Sequence, residues 1–255
     1  MDIASQNIFK NLTQSGVSFP QKMKALYSYV VDRINELGIE PHSTIRFRGD
    51  VLEVFFVNED HLPNEFNREF DAYYSAGLMI SLMRSVIHSC GYKTTLRTFP
   101  RFDEPDLIAF IYISKDKHTV PWFFESSSPS DDDCRCHMKL KRLLHDISNR
   151  RMLIADILSD DNIKTMFNGE AKKFRTNDSE LILVSSSHNM PSTWLQTGFF
   201  AGDLIFNAKK AGYVIEHVDL NDKENNLTRL QVIVSHSSKG VHAQVLFKAI
   251  PIVNS

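Results

Sequence analysis

The feature that most constrains the fold of this chain is an internal repeat with a spacing of 121 residues. Two long segments with helical hydrophobic spacing carry Gly77 and Gly198 (198 − 77 = 121). They end in Gly91-Tyr92 and Gly212-Tyr213, which are again 121 residues apart (212 − 91). Glycine is a common helix stop because it adopts left-handed backbone angles without strain. The pattern predicts two helices that end in the same way in two halves of one chain.

The segment that follows each helix supports the same repeat. Without a gap, the offset brings Ile113-Ser114 onto Val234-Ser235 and Ile111 onto Val232. Each half then consists of a helix, a Gly-Tyr stop, a connection of equal length and a strand. Self-similarity of this kind indicates repeated structural units. We expect two similar halves, 1–137 and 138–255, which pack as a pseudo-dimer within the chain.

Hydrophobic spacing and turn residues predict the individual elements. The predicted helices are 21–37, 64–90, 138–147, 160–167 and 192–211, and the predicted strands are 44–48, 51–57, 107–114, 181–185 and 230–235. Apolar residues surround the helix 64–90 on most sides, which is typical of a buried central helix. The polar run in 115–137 predicts an exposed loop.

Composition narrows the class of protein. Lys plus Arg total 29 and Asp plus Glu total 31, giving a net charge of −2, and no strand interleaves basic and aromatic residues. These features disfavour nucleic acid and anionic membranes as partners. The three cysteines make a poor disulfide framework. We find neither a secretory signal nor an apolar run long enough for a membrane span, so we expect a soluble, cytoplasmic protein.

Five segments, taken in order, resemble motifs of the nitroreductases, and in particular of their Acg-like branch. They are 45–51 (W-R-F and a hairpin), 77–92 (a helix ending in G-Y), 104–109 (D-P-D-L), 193–198 (D-W-L-x-x-G) and 240–248 (G-x-P-Q and a basic residue). The resemblance spans about 39–248. It implies a nitroreductase-like α+β fold with long central helices on antiparallel sheets. It also implies FMN between two copies of the fold, with NAD(P)H as reductant; in the Acg-like branch both copies lie in one chain.

The resemblance places the FMN phosphate beside Arg150 and Arg151. These residues match the start of the family motif R-R-(S/T)-x-R, whereas Met152 and Ile154 occupy its hydroxyl and last arginine positions. Lys248 falls where a second cation completes the clamp. Arginine suits phosphate because its planar fork donates several hydrogen bonds. The alternative is that the two arginines are a solvated pair at a helix end, and that Lys248 is a surface charge.

The family's flavin-ring loop, P-S-S-x-N-x-Q-P-W, corresponds to residues 39–45. This segment is shorter and lacks the Asn, the Gln and the Trp, but His42, Ser43 and Thr44 offer polar groups for the ring edge. His42 as an ordinary polar loop residue is the alternative.

Two other groups of residues attract attention. Cys134-Arg135-Cys136-His137 lacks the second ligand pair that structural zinc sites use, so we expect no metal. The apolar cluster at 121–124 is equally consistent with a lid over a site and with a docking surface.

Two functions follow. The first is an FMN-dependent oxidoreductase that passes hydride from NAD(P)H through the flavin to a small electron-poor acceptor; the flavin carries the chemistry, so no catalytic residue is assigned. The alternative is a catalytically degenerate relative that binds a ligand or protein partner without redox turnover. A homodimer in addition to the internal pseudo-dimer stays open.

Overall fold

The computed structural model describes residues 18–57, 66–101, 103–115, 133–159, 179–218 and 242–252. It divides into two compact units, Met1–Glu125 and Ser126–Ser255. The boundary predicted between 137 and 138 falls inside a helix that begins at Asp133. The observed division therefore lies before that helix and keeps it whole in the second unit.

The described part of the first unit combines two helices with one antiparallel sheet. Its elements are α1 (Phe19–Glu36), β1 (Ser43–Arg48), β2 (Val51–Phe56), α2 (Phe66–Ser89), β3 (Tyr92–Thr98) and β4 (Leu107–Lys115). The strands are arranged in the order β1-β2-β4-β3. The predicted hairpin is confirmed, since β1 and β2 pair around a turn in which Gly49 has a φ of +64°.

The described part of the second unit has the same order of elements. They are α3 (Asp133–Arg151), β5 (Ile154–Ile157), β6 (Glu180–Ser186), α4 (Pro191–Ala208) with a 3-10 turn (Lys209–Ala211), β7 (Tyr213–His217) and β8 (His242–Pro251). The strand order is β5-β6-β8-β7. The predicted mixture of helices and antiparallel sheets is thus confirmed in both units.

Strand register shows how far the repeat extends. Tyr92 faces Lys115 in the first sheet, and Tyr213 faces Pro251 in the second. The offset is 121 residues on one strand (213 − 92) and 136 on the other (251 − 115). The predicted ungapped match therefore does not hold for the last strand of each unit. The strand of the second unit that corresponds to β4 is β8. The connection before β8 is 15 residues longer than the one before β4 (136 − 121), because strand pairing does not set the length of the chain that joins two strands.

An irregularity in the two central pairings occurs at the same point. The register shifts between Val54 and Phe55 where β2 pairs with β4, and between Val184 and Ser185 where β6 pairs with β8. A β-bulge changes the local twist of a sheet and is retained as a structural feature. Two sheets with the same order, register and bulge support duplication more strongly than the glycines that first indicated it.

The central helices and the strands that face them supply most of the core. Every residue from 74 to 83 of α2 is buried, as predicted for a helix with apolar residues on most sides. In α4 the largest buried side chains are those of Trp194, Phe199 and Phe200. The sheets cover these helices with strand residues that are fully buried, among them Leu52, Ile111 and Phe247.

Several sequence-based boundaries need correction. Residues 133–137 were predicted as part of a loop but form the beginning of α3. Lys115 was also assigned to that loop and is the last residue of β4. The strands β3, β5 and β7 were not predicted. The sequence signal of these strands is weak. In β3, exposed polar residues alternate with polar or apolar residues that are less exposed, and β5 has four residues. The predicted helix 160–167, the predicted strand 230–235 and the cluster 121–124 lie outside the described residues.

No helix within the described ranges is both long enough and apolar enough to cross a membrane.

The helices α1 and α3 end in the same way. Gly38 and Met152 follow the last turn with positive φ angles of 70° and 56°. The N–H of the next residue, Ile39 or Leu153, donates to the carbonyl five residues earlier at 3.3 and 3.2 Å. This is the Schellman arrangement, in which the left-handed position favours glycine. Met152 thus carries backbone strain that Gly38 does not.

Exchanging the residue type at these two positions should change stability in opposite directions. We expect Met152→Gly to raise the free energy of unfolding, and Gly38→Ala to lower it, by about 1 kcal/mol each. Packing contributes little, because Met152 is 83% exposed and a Cβ at Gly38 meets nothing within 4 Å. Urea unfolding of the two variants and the parent checks this. A loss of stability in Met152→Gly would contradict it.

Candidate functional site

The predicted ring-edge residues lie where β1 begins. The N–H of His42 donates to Ser75 Oγ of α2 at 3.3 Å, and its carbonyl accepts from the N–H of Val57 at 3.0 Å. Its backbone is therefore fixed between β2 and α2. The imidazole is half-buried.

Ser43 and Thr44 point to opposite sides of the sheet. Ser43 is buried, and its Oγ lies 3.6 Å from Met79 Sδ of α2. Thr44 is exposed, as the alternation of side chains along a strand requires. The two hydroxyls therefore cannot reach the same edge of one flavin ring.

An aromatic cluster that sequence reasoning missed lies at the same end of the first sheet. Phe56 and Tyr73 meet edge to face with ring centroids 4.7 Å apart, and Tyr73 lies 6.2 Å from Phe99. Burial, and then the charge of Glu69, raises the pKa of the Tyr73 phenol. The phenol is therefore a hydrogen-bonding group and not an anion at neutral pH. We call Phe56, Tyr73 and Phe99 the Phe99 cluster.

Phe99 itself is strained. Its φ is +46°, a region that bulky residues rarely occupy, and Pro100 follows it. The residue is nevertheless 38% exposed, so tight packing does not compensate the strain. Residues held in such conformations cluster at ligand sites and active sites. The local sequence carries no signal for this angle, since the residue before a proline normally adopts extended angles.

Arg151 is held at the end of α3 by two contacts with α4. Its Nε–H and Nη2–H donate to Asp203 Oδ2 at 3.2 and 2.7 Å, and both side chains are less than a fifth exposed. Its guanidinium carbon lies 4.9 Å from the centroid of the Phe199 ring. These contacts use two of the five N–H donors of the guanidinium. Arg151 is thus a fixed cation whose charge is partly compensated.

Arg150 and Lys248 have other surroundings. Arg150 is exposed, and its Nε–H donates to the carbonyl of Asp146 one turn earlier at 3.0 Å. Lys248 lies on β8 opposite Glu216 of β7, and Nζ is 3.8 Å from the Glu216 carboxylate. Within the described part of the chain, no hydrogen bond or ion pair joins Lys248 to either arginine. The structure thus brings Arg150 and Arg151 to one helix end, and each predicted cation has its own contact.

A buried hydroxyl lies near the arginine pair. Ser148 precedes Arg151 by three residues and is 7% exposed, and its Oγ has no hydrogen-bond partner among the described residues. The amide oxygen of the buried Gln244 on β8 likewise has no hydrogen-bond partner among the described residues. Buried polar atoms normally find a partner in the protein, in water or in a ligand. Sequence reasoning missed Ser148 because it lies before the family motif and not within it.

The thiol and metal chemistry can be assessed for the described residues. Burial raises the pKa of the Cys90 thiol to about 11, so it is protonated at neutral pH and a poor nucleophile. In the described ranges no three His, Cys, Asp or Glu side chains come together as metal ligands do.

His88 forms a polar contact between α2 and β3. Its Nε2 accepts the backbone N–H of Thr94 at 3.1 Å, and Arg84 donates to Thr94 Oγ1 at 3.1 Å. Burial, and then the charge of Arg84, lowers the pKa of His88. Protonation would replace the accepting nitrogen by a donor.

This arrangement predicts a pH dependence of stability. Because His88 binds a proton less tightly in the folded than in the unfolded chain, its contribution is complete above the unfolded pKa of 6.5 and declines as the pH falls towards the lowered folded value. Between about pH 8 and about pH 5.5, the free energy of unfolding measured in urea should fall less in His88→Gln than in the parent. Glutamine keeps a hydrogen-bond acceptor at this position but does not titrate. An equal loss in both proteins would contradict the prediction.

No protein-family model matches this chain, and no curated protein matches it in sequence. Among solved structures it is similar to the crystal structure of a "putative nitroreductase" from Thermotoga maritima. The identity is 11%, the similarity covers 96% of this chain and 94% of that chain, and the TM-score is 0.40.

Proposed function

We propose that this chain is an FMN-dependent oxidoreductase of the nitroreductase type, with NAD(P)H as reductant and a small electron-poor molecule as acceptor. The observation that carries the proposal is the arginine pair at the end of α3. Arg151 is held in one orientation by Asp203 and keeps three N–H donors beyond that ion pair. A preoriented guanidinium is well suited to a phosphate, because little freedom is lost on binding.

The duplication supports the same proposal. The motif order of the nitroreductases implies two copies of one fold, and the two units share strand order, register and bulge position. When bound, FMN would supply the hydride chemistry. Of the chain's own residues, Arg150, Arg151 and Lys248 would hold the phosphate.

The residues present fit the phosphate of FMN better than its ring. Ser43 faces α2 and Thr44 the opposite side, so the hydroxyls expected at the ring edge diverge. This divergence favours the second candidate, a degenerate relative that binds a phosphorylated ligand or a protein partner without redox turnover. In that case Arg150 and Arg151 would keep a binding role while hydride transfer is lost.

An absorbance spectrum of the purified protein, repeated after adding FMN and removing the excess, tests the proposal. We expect retained flavin absorbance that bleaches with NAD(P)H under anaerobic conditions and returns on addition of a nitroaromatic acceptor. The double variant Arg150→Gln/Arg151→Gln should lose the flavin. The matched control Lys141→Gln/Arg142→Gln removes the same charge from exposed positions earlier in α3 and should retain it.

Each result separates the candidates. No retained flavin in the parent protein would overturn the oxidoreductase. Retained flavin that does not bleach would favour the degenerate binding protein. Because Arg151 also pairs with Asp203, thermal unfolding of the double variant must accompany the spectra, so that loss of the fold is not mistaken for loss of a ligand contact.

A further inference from the structure

The first sheet presents one of its faces away from α2. Ser43 Oγ contacts Met79 of α2, and Thr94 Oγ1 accepts from Arg84 of α2, so these strand positions face the helix. The alternate positions of the same strands point to the other side. We call that side the outward face. The function inferred below for the outward face does not depend on the proposed flavin site.

Strand register aligns charged and aromatic residues in a row across the outward face. Arg46 of β1 lies opposite Glu53 of β2, Glu53 lies opposite Phe110 of β4, and Phe110 lies opposite Arg97 of β3. The next row places Tyr112 of β4 between β2 and β3 in the same way. Aromatic side chains therefore occupy β4, which is one of the two inner strands, and arginines occupy both edge strands.

The outward face is basic although the chain as a whole is slightly acidic. Arg46 and Arg48 are 62% and 67% exposed, and Lys93 and Arg97 are exposed on β3. Glu53 is the acidic residue between the two edges, and its side chain is only 7% exposed because Arg46 and Arg48 lie over it at 3.8 and 3.4 Å. The accessible charge on these strands is thus positive. A local field of this kind attracts anions whatever the net charge of the molecule.

The aromatic residues of the outward face are accessible. Tyr112 is 41% exposed, and its ring centroid lies 6.0 Å from that of Phe110 on the same strand. Arg101 lies over the Phe110 ring at 5.7 Å, and Arg46 lies over the Phe55 ring at 4.7 Å. Exposed rings bordered by guanidinium groups offer flat surfaces for other planar groups.

The second unit shows that the duplicated fold does not require this surface. At the positions of Val51, Glu53 and Phe110, the equivalent register places Leu181, Leu183 and Leu246. The three leucines are 0%, 5% and 1% exposed. The same register places Asp156 at the position of Arg46 and Lys248 at the position of Tyr112. The row of arginines and aromatic rings is therefore a feature of the first sheet and is not repeated at the equivalent positions of the second.

We propose that the outward face of the first sheet binds single-stranded nucleic acid. Phosphates would pair with Arg46, Arg48, Lys93 and Arg97, and bases would stack on Tyr112 and Phe110. Every base has a flat face, so stacking of this kind tolerates different sequences, while the cations follow the backbone. The net charge of −2 argues against such a partner. On the folded sheet, however, basic residues of both edge strands and aromatic residues of β4 lie on one face.

Fluorescence anisotropy with a labelled single-stranded oligonucleotide of about 12 nucleotides tests the proposal on the full chain, at salt concentrations from about 50 to about 200 mM. We expect Tyr112→Thr to weaken binding about tenfold without changing the salt dependence. Lys93→Gln/Arg97→Gln should weaken it about tenfold and reduce the slope of log affinity against log salt by about 1.4. The control Lys141→Gln/Arg142→Gln should bind as the parent does.

Three results would overturn the proposal. One is the absence of binding by the parent at the lowest salt concentration. Another is an equal loss in the control, which would indicate attraction by charge anywhere on the surface. The third is displacement of the oligonucleotide by polyglutamate together with unchanged binding by Tyr112→Thr, which would identify an acidic polymer as the ligand. Circular dichroism of each variant establishes that it is folded.

Discussion

Replacing Arg151 with methionine is expected to lower the free energy of unfolding by about 2–3 kcal/mol. The change removes two hydrogen bonds to Asp203 and leaves a carboxylate that is 17% exposed without this cation. It also removes the guanidinium that lies 4.9 Å from the Phe199 ring, a contact of about 0.5–2 kcal/mol. Breaking one side of a partly buried ion pair is more harmful than the net value of the pair, because the remaining charge stays poorly solvated.

Arg150 provides the matched control for this prediction. It has the same charge and is the preceding residue, but it is exposed and donates only to its own helix. We expect Arg150→Met to change the free energy of unfolding by less than about 0.5 kcal/mol in urea titrations. A double-mutant cycle with Asp203→Leu then isolates the coupling between Arg151 and Asp203. Equal effects of Arg150→Met and Arg151→Met would contradict the ion pair.

Replacing Phe247 with alanine should have a still larger effect, about 3–5 kcal/mol. Phe247 is 0% exposed on β8, which pairs with β6 on one side and β7 on the other, and it meets the His217 ring at 5.9 Å. The substitution removes buried apolar surface and leaves a cavity that a strand paired on both sides cannot collapse to fill.

Val214 serves as the control for Phe247. It lies on the neighbouring strand β7 and is 50% exposed. Val214→Thr keeps the branched shape and should change the free energy of unfolding by less than about 0.5 kcal/mol. Thermal and urea unfolding of both variants measure the effects. A loss below 1 kcal/mol in Phe247→Ala would place Phe247 outside the core and contradict the register of β8.

The Arg151 prediction also bears on the proposed function. If Arg151 binds a phosphate, its loss changes ligand affinity and stability together, whereas loss of Arg150 changes only affinity. The pair of variants therefore separates the structural role of Arg151, which its contacts with α4 establish, from the ligand role proposed for both arginines.

The elements that local pattern predicts are those whose signal is strong and continuous. The helix α2 carries apolar residues on nearly all sides, and β4 is an unbroken apolar run, so both were predicted within a few residues. The strand β3 escaped prediction because it lies at a sheet edge and alternates polar with weakly apolar residues, a pattern shared with many loops. The end of α3 was predicted too early because its last turn is polar, and solvent accommodates polar residues without ending a helix.

The sequence by itself determined the duplicated pattern, the buried central helix, the Gly49 hairpin and the arginine pair at a helix end, because each depends on neighbours along the chain. Only the tertiary structure decided which strands pair. In the second unit, β8 holds the position that β4 has in the first, at a sequence offset of 136 residues that no local pattern specifies. It also decided that Arg151 pairs with Asp203, and that Ser43 and Thr44 diverge. It placed Arg46, Phe110 and Arg97 in one row. The physical reason is the same in each case: these contacts join residues from different elements, and only packing and hydrogen-bond register bring such residues together.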